Sequence, residues 1–547
     1  MVGDGGGGSG CAIHCVIMGM KKEANKDTSC ASIVLNGQAF SIGEVAAVAR
    51  AEHGGCVVSL GEIAQERITK SRAVVESALR SGEAIYGVNT GFGSLARTRI
   101  VPDEVRDMQR NLIRSHAAGV GEPLGRDVVR AMIVLLVGSL CRGYSGVRPV
   151  VVERLIDLLN CEITPVVPSR GSVGASGDLA PLSHLALVLI GEGKAAFSDG
   201  RIVGGAEALE AYALEPIVLD AKEGLALING THLMTAIAAL ALDDVARLFD
   251  AALVSAGMMI DACLATDVFL DDRLHSARNQ VGQRKVAARL REILSGSEIV
   301  VSHKEDDPRV QDPYSLRCIP QVLGAVWDVI EFARSVVERE LGAVTDNPLV
   351  FEPGEVSGDE GDSAKCAVEN ILSGGNFHGM PLALAMDSLK VAVAHIAGMS
   401  ERRVYYLLSA SDSENPINVY LSPKPGLYSG LMIVQYTAAA CCNEIQTLTG
   451  AASVANIPTS AGQEDYNSFG PTAGFQLRRA IDLARHVVAI EFFCASEAME
   501  YHRPLKSGGR VEAAHQRIRE VVPRLTEDRS PTADIEGIAE LIGRGGI

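Results

Sequence analysis

From about residue 223 onward, apolar side chains recur every third or fourth position over long stretches. These are 225–264, 321–341, 381–409, 431–448 and 476–499, and that spacing is the mark of an amphipathic helix. In the second stretch Val322, Val326, Ile330, Ala333, Val337 and Leu341 trace one stripe. Helices this long, with little strand between them, must bury their stripes against one another. The sequence therefore predicts a mainly α protein with a long central helix bundle and a C-terminal helical region over 223–547. Residues 33–222 mix short strand-like runs, such as 56–60, with helices and Gly/Pro turns, which predicts an N-terminal mixed α/β domain. Residues 1–32, Gly/Ser-rich and then polar, predict a disordered N-terminal tail, with Met18 and Met20 as alternative starts. The acidic, Gly-rich stretch 352–363 predicts a surface loop.

By length alone, 547 residues allow about three or four domains, but the sustained periodicity fuses most of them into one bundle. Charge excludes other classes of function. With 50 basic and 67 acidic residues the net charge is −17, which repels phosphate backbones and anionic bilayers, so neither nucleic acid nor membrane is an expected partner. The longest apolar run, 131–138, falls well short of the roughly 18 residues a membrane span needs. The weakly apolar 11–20 stretch is followed, not preceded, by Lys21 and Lys22, the wrong order for a secretory signal. Twelve scattered cysteines without a C-x-x-C pair predict buried thiols in a reducing compartment and no metal site. A soluble cytoplasmic protein is expected.

Residues 170–184 read Arg-Gly-Ser-Val-Gly-Ala-Ser-Gly-Asp-Leu-Ala-Pro-Leu-Ser-His. No Gly-Lys-Ser/Thr closes the segment as a phosphate loop. The glycine directly after Ser176 also breaks the G-x-S-x-G pattern of a hydrolase elbow. A Gly/Ser turn capped by Asp178 ahead of a helix would account for it locally. A further reading uses every small residue. Attack of the Gly177 nitrogen on the Ala175 carbonyl closes a five-membered ring around Ser176. Loss of two waters, one carrying the Ser176 hydroxyl, then leaves an electrophilic exocyclic methylene. An Ala-Ser-Gly triplet alone is too common to decide between these.

Taken with other blocks, the segment resembles the histidine and aromatic amino-acid ammonia-lyases over about 33–542. Their signature is Gly-x-x-x-Ala-Ser-Gly-Asp-Leu-x-Pro-Leu-x-His, which forms 4-methylideneimidazole-5-one (MIO). The further matches are Tyr86-Gly-Val-Asn-Thr-Gly-Phe-Gly93, Asn229-Gly-Thr-His232, Gln311-Asp-Pro-Tyr-Ser-Leu-Arg317, Asn376-Phe377-His378-Gly379 and Gln463-Glu464-Asp465. The resemblance implies an ammonia-lyase (fumarase/aspartase-like) architecture with MIO built from Ala175, Ser176 and Gly177 and no external cofactor or essential metal. It also implies a homotetramer whose active sites each draw on three chains. Tyr86, in a Gly-rich lid, would take the substrate's β-proton. Tyr314 would assist in acid/base work or orient the MIO. Arg317 would hold the substrate carboxylate, with Gln311 and Phe377 also in the pocket. Asn229 would face the prosthetic group.

The ring-recognition pair of the family falls on Ser115-His116, the histidine-type pairing, and a buried imidazole needs such polar partners. Glu464 points the same way, because a carboxylate can accept an imidazole N–H. The implied reaction is deamination of L-histidine to trans-urocanate and ammonia. Three features depart from the histidine-type pattern: Tyr466-Asn467-Ser468 after the Gln-Glu-Asp triplet, Leu448-Thr449-Gly450 before it, and His232 where glutamine is common. They keep open an aromatic amino-acid ammonia-lyase or 2,3-aminomutase. A catalytically silent helical oligomer is the alternative from another class.

Overall fold

A computed structural model describes residues 31–547 except 53, 92, 94–97, 306 and 353–362. The expected tail, up to residue 30, and nearly all of the expected acidic loop lie outside the described residues. The helices that build the site and the bundle are α1 (Val105–His116), α2 (Leu179–Leu189), α3 (Glu223–Ile228), α4 (His232–Ala262), α5 (Tyr314–Arg317), α6 (Ile319–Glu340), α7 (Met380–Ser409), α8 (Met432–Leu448) and α9 (Gly470–Met499). The fold is mainly α. α7 packs along both α6 and α9, α9 packs along α4, and α8 lies against α9 and α7.

The α6 stripe is buried at Val326, Ile330, Ala333, Val337 and Leu341, with Val322 half-buried at its start. Burying such a side chain contributes about 1.5–3 kcal/mol. α7 is long and apolar enough to cross a bilayer, yet Leu382, Met386, Leu389, Val393 and Ile396 are buried in the protein interior. It is the core helix of the bundle. Arg403 on α7 and Glu491 on α9 form a fully buried ion pair, whose loss of one partner would leave a charge stranded in the core.

The N-terminal part adds small sheets. Ala31–Leu35 pairs in parallel with Cys56–Leu60, and Val120–Pro123 pairs antiparallel with Pro168–Arg170. One hydrophobic core is continuous from Leu35 to Ile542, so this part and the bundle share an interior.

The expected continuous helix over 225–264 is instead two helices, α3 and α4, broken at Asn229–Thr231. Asn229 is extended (φ −89°, ψ 123°) and Gly230 has φ +138°, where only glycine is at ease. The apolar period runs across the break unchanged, which is why periodicity does not reveal it. The interruption frees Asn229 and Gly230 to meet the 172–178 turn.

Candidate active site

The turn at 172–178 sits on the N-terminal end of α4. Gly177 has φ +75°, and a Cβ there would lie 2.2 Å from the Gly230 carbonyl oxygen, so the position admits only glycine. Gly177 and Gly230 form a parallel bridge, and the Asp178 amide donates to the Gly230 carbonyl at 2.7 Å. The Val173 carbonyl accepts from the Phe469 amide at 2.9 Å, and the Gly174 carbonyl accepts from Ser468 Oγ at 2.9 Å. The turn is thus stitched to the segment entering α9, with Ala175 buried.

Asp178 precedes α2 but does not cap it. Its backbone (φ −103°, ψ 55°) lacks the extended geometry a cap needs, so its side chain crosses to α4. There its carboxylate accepts from the Leu233 and Met234 amides at 2.9 and 3.0 Å and from Ser172 Oγ at 2.8 Å. Complete burial pushes this carboxyl up to about 7, against the pull of the three donors.

Ser176 is held from two sides. Asn229 Nδ2 donates to its carbonyl at 2.9 Å, and its own hydroxyl donates to Glu464 Oε1 at 2.7 Å. Glu464 Oε2 accepts from Thr459 Oγ1 at 3.0 Å. Tyr86 OH accepts from the Gly93 amide at 3.3 Å. Two clefts meet on these residues. The larger, of 900 Å³, is lined by Tyr86, Ser115, His116, Ser176, Asn229 and Glu464 among others. The second, of 530 Å³, adds Ala175 and Phe377 to Tyr86, Ser176, Asn229 and Glu464.

α1 ends at Ser115 and His116, the pair expected to recognise the substrate ring. His116 Nδ1–H donates to the Leu112 carbonyl at 3.0 Å, as does Ser115 Oγ at 3.1 Å. Ser115 Oγ also lies 3.0 Å from His116 Nδ1. The tautomer protonated at Nδ1 satisfies the Leu112 carbonyl, which can only accept, and leaves the Nε2 lone pair free. Burial holds this imidazole below its ordinary range, with the Leu112 carbonyl and the Glu464 charge acting in the opposite direction. His184 on α2 accepts from the Gly119 amide at 3.0 Å and ties the loop after the pair to the serine turn.

Asn347, Ser373 and Ser460 also line the clefts and are absent from the sequence reading. Ser460 has φ +52°, but no local pattern marks any of the three as a pocket residue.

Gln311, Tyr314 and Arg317 line neither cleft. They belong to the other end of α4: the neighbouring Asp312 accepts from the Thr266 amide at 3.0 Å, just past Ala262, and Arg309 donates to the Cys263 carbonyl at 3.2 Å. At 1.5 Å per residue, the 31 residues of α4 separate them from the serine turn by about 46 Å. Tyr314 is 69% exposed. The Arg317 guanidinium lies 4.5 Å from the centre of the Tyr314 ring, and its Nε has no hydrogen-bond partner among the described residues. Tyr314 and Arg317 do share a helical face, but one chain does not bring them to Ser176.

Residues 40–520 match the aromatic amino acid lyase family. The chain is 46% identical over 523 residues to the histidine ammonia-lyase of Anaeromyxobacter sp. (strain K), covering 94% of this chain and 99% of that one. Among solved structures it is similar to histidine ammonia-lyase from Trypanosoma cruzi (TM-score 0.85, 35% identity, 94% of each chain). It is equally similar in fold to a tyrosine aminomutase from Streptomyces globisporus (TM-score 0.85, 33% identity, 94% of this chain and 97% of that one). With the Ala-Ser-Gly turn, its asparagine and its glutamate assembled at one end of α4, this chain belongs to the aromatic amino acid lyase family.

Proposed function

We infer that the protein is a carbon–nitrogen lyase that deaminates L-histidine to trans-urocanate and ammonia. One observation carries this reading: Ser176 and the Ser115-His116 pair line a single cleft, with Glu464 against the serine. An Nε2 lone pair on His116 and a carboxylate on Glu464 together offer acceptors to an imidazole N–H, which a phenyl ring cannot use. The high identity to histidine ammonia-lyases supports the same substrate.

The residues present suit an MIO group. Gly177 stands where a Cβ would strike the Gly230 backbone, Ala175 adds little bulk, and Asn229 already donates to the Ser176 carbonyl. Such a group supplies an electrophilic methylene that takes up the substrate amine and makes ammonia a competent leaving group. Around it, Asn229 stabilises developing negative charge on the oxygen it faces. Tyr86, shared by both clefts, would remove the β-proton, and Phe377 lines the smaller cleft with it.

Gln311, Tyr314 and Arg317 then serve an active site other than their own chain's, with Arg317 binding the substrate carboxylate. The 46 Å between the two halves and the exposed apolar side chains Phe332, Leu384, Val391, Ile433 and Tyr436 on α6, α7 and α8 support a homotetramer with shared sites. Buried thiols at Cys141, Cys263 and Cys494 suit a reducing, cytoplasmic setting.

The test is to incubate purified protein with L-His, L-Phe and L-Tyr and follow the ultraviolet absorbance of each conjugated product. Urocanate is the expected product, and cinnamate or coumarate in its place would overturn the histidine assignment. A β-amino acid as the main product would make the protein an aminomutase. The intact mass should be about 36 Da low, two waters per chain, and Ser176→Ala should restore the full mass and abolish turnover.

A further inference from the structure

Lys222 and Asp346 form an ion pair that touches neither cleft. Lys222 Nζ lies 2.7 Å from Asp346 Oδ2, with side-chain exposures of 0% and 3%. A buried ion pair is a poor source of stability, because desolvation offsets the attraction. Lys222 also sits in the left-handed region (φ +73°), which disfavours a side chain. Two costs converge on one residue, so the position asks for something an apolar side chain would not supply.

What the pair supplies is a fixed distance between two backbone segments at the edge of the site. Lys222 immediately precedes α3, whose six residues are too few to hold a helix unaided. The entrance of α3 is pinned further by Gln109 Oε1, which accepts from the Gly224 amide at 2.8 Å, and by the Glu223–Arg148 pair. At its exit stands Asn229, with its amide on the Ser176 carbonyl. Asp346 is flanked by cleft-bordering contacts on both sides. Thr345 Oγ1 accepts from the Thr231 amide at 3.2 Å, and Asn347 Oδ1 accepts from the Gly374 amide at 2.7 Å on the Phe377 wall. Tyr86 depends on the same pair of segments. A Cβ on Gly87 would lie 2.4 Å from Leu225 of α3 and 3.3 Å from Pro348, so the tyrosine's neighbour is wedged between them.

We propose that the Lys222–Asp346 ion pair is a positioning pair for turnover: it ties the helix bearing Asn229 to the 345–348 segment, and so sets the spacing of Tyr86, Ser176 and the Phe377 wall. The proposal rests on the lyase reading above. Burial without full compensation pulls the Lys222 ammonium below its ordinary range, which agrees with a group kept for geometry at an electrostatic cost.

The test uses the full chain and two variants. Lys222→Met with Asp346→Leu removes both charges at similar volume and keeps the core filled. Asp346→Glu keeps the ion pair and lengthens it by one methylene. In both, assembly, melting temperature and the two-water mass deficit should stay near those of the parent. Turnover number should fall at least about tenfold while KM for L-histidine stays within about threefold, the signature of misplaced groups in a formed site. Parental turnover in either variant would overturn the proposal. So would a parallel collapse of turnover, KM and melting temperature, which marks a structural pair, or loss of the mass deficit, which moves the role to forming the group. Failure of the underlying reading looks different: a parent chain of full mass, or turnover retained by Ser176→Ala.

Discussion

At the scale of single residues, the site shows how much chemistry a short turn can hold. Ser176 donates to Glu464 and receives Asn229 on its carbonyl, and each of these three residues is legible in sequence because it lies within a family-like block. The use of Asp178 is not legible, since nothing local says that a residue at a helix start will cap a different helix. Its titration gives a test. The unfolded carboxyl ionises near 3.8 and the folded one near 7, so between those values the unfolded state holds fewer protons. The Asp178 contribution to stability is therefore full below about pH 4 and declines as pH rises to about 7. Asp178→Asn has no such decline, so its melting temperature relative to the parent should rise across that interval. A difference in melting temperature that stays flat with pH would show that Asp178 does not titrate there.

At the scale of elements, the break between α3 and α4 matters more than either helix. The helices were readable because their stripes repeat over many turns, and the stripe of α6 is buried much as spaced. The break escaped because Leu225, Leu227 and Ile228 on one side and Leu233 and Met234 on the other keep the apolar period. Only the geometry of Gly230 shows it. Gly230→Ala would place a Cβ 2.5 Å from the His232 ring and 2.8 Å from Thr345 Oγ1 in a conformation alanine resists. Strain and crowding together should cost at least about 2 kcal/mol. The expected result is a melting temperature lower by at least about 2 °C, together with loss of the two-water mass deficit as the Gly177 pairing opens. An unaltered melt would show that the break tolerates a side chain.

At the scale of the whole molecule, sequence order is a poor guide to distance. Gln311, Tyr314 and Arg317 read as one pocket with Ser176, yet α4 holds them about 46 Å away within a chain, and no single-chain pattern reveals which copy they serve. Co-expression answers this. If sites are shared in a tetramer as proposed, Ser176→Ala and Arg317→Ala subunits should each be inactive alone, while in mixed assemblies about a quarter of the sites should receive both native residues. Activity near that fraction is expected, and none at all would place Arg317 in its own chain's site. The rigid length of α4 also has a consequence for timing. On the proposed sharing of sites, a newly folded chain that already bears its electrophile would have no means of seating a substrate carboxylate. Turnover would then begin only when copies meet, and specific activity should fall on dilution before any helix unfolds.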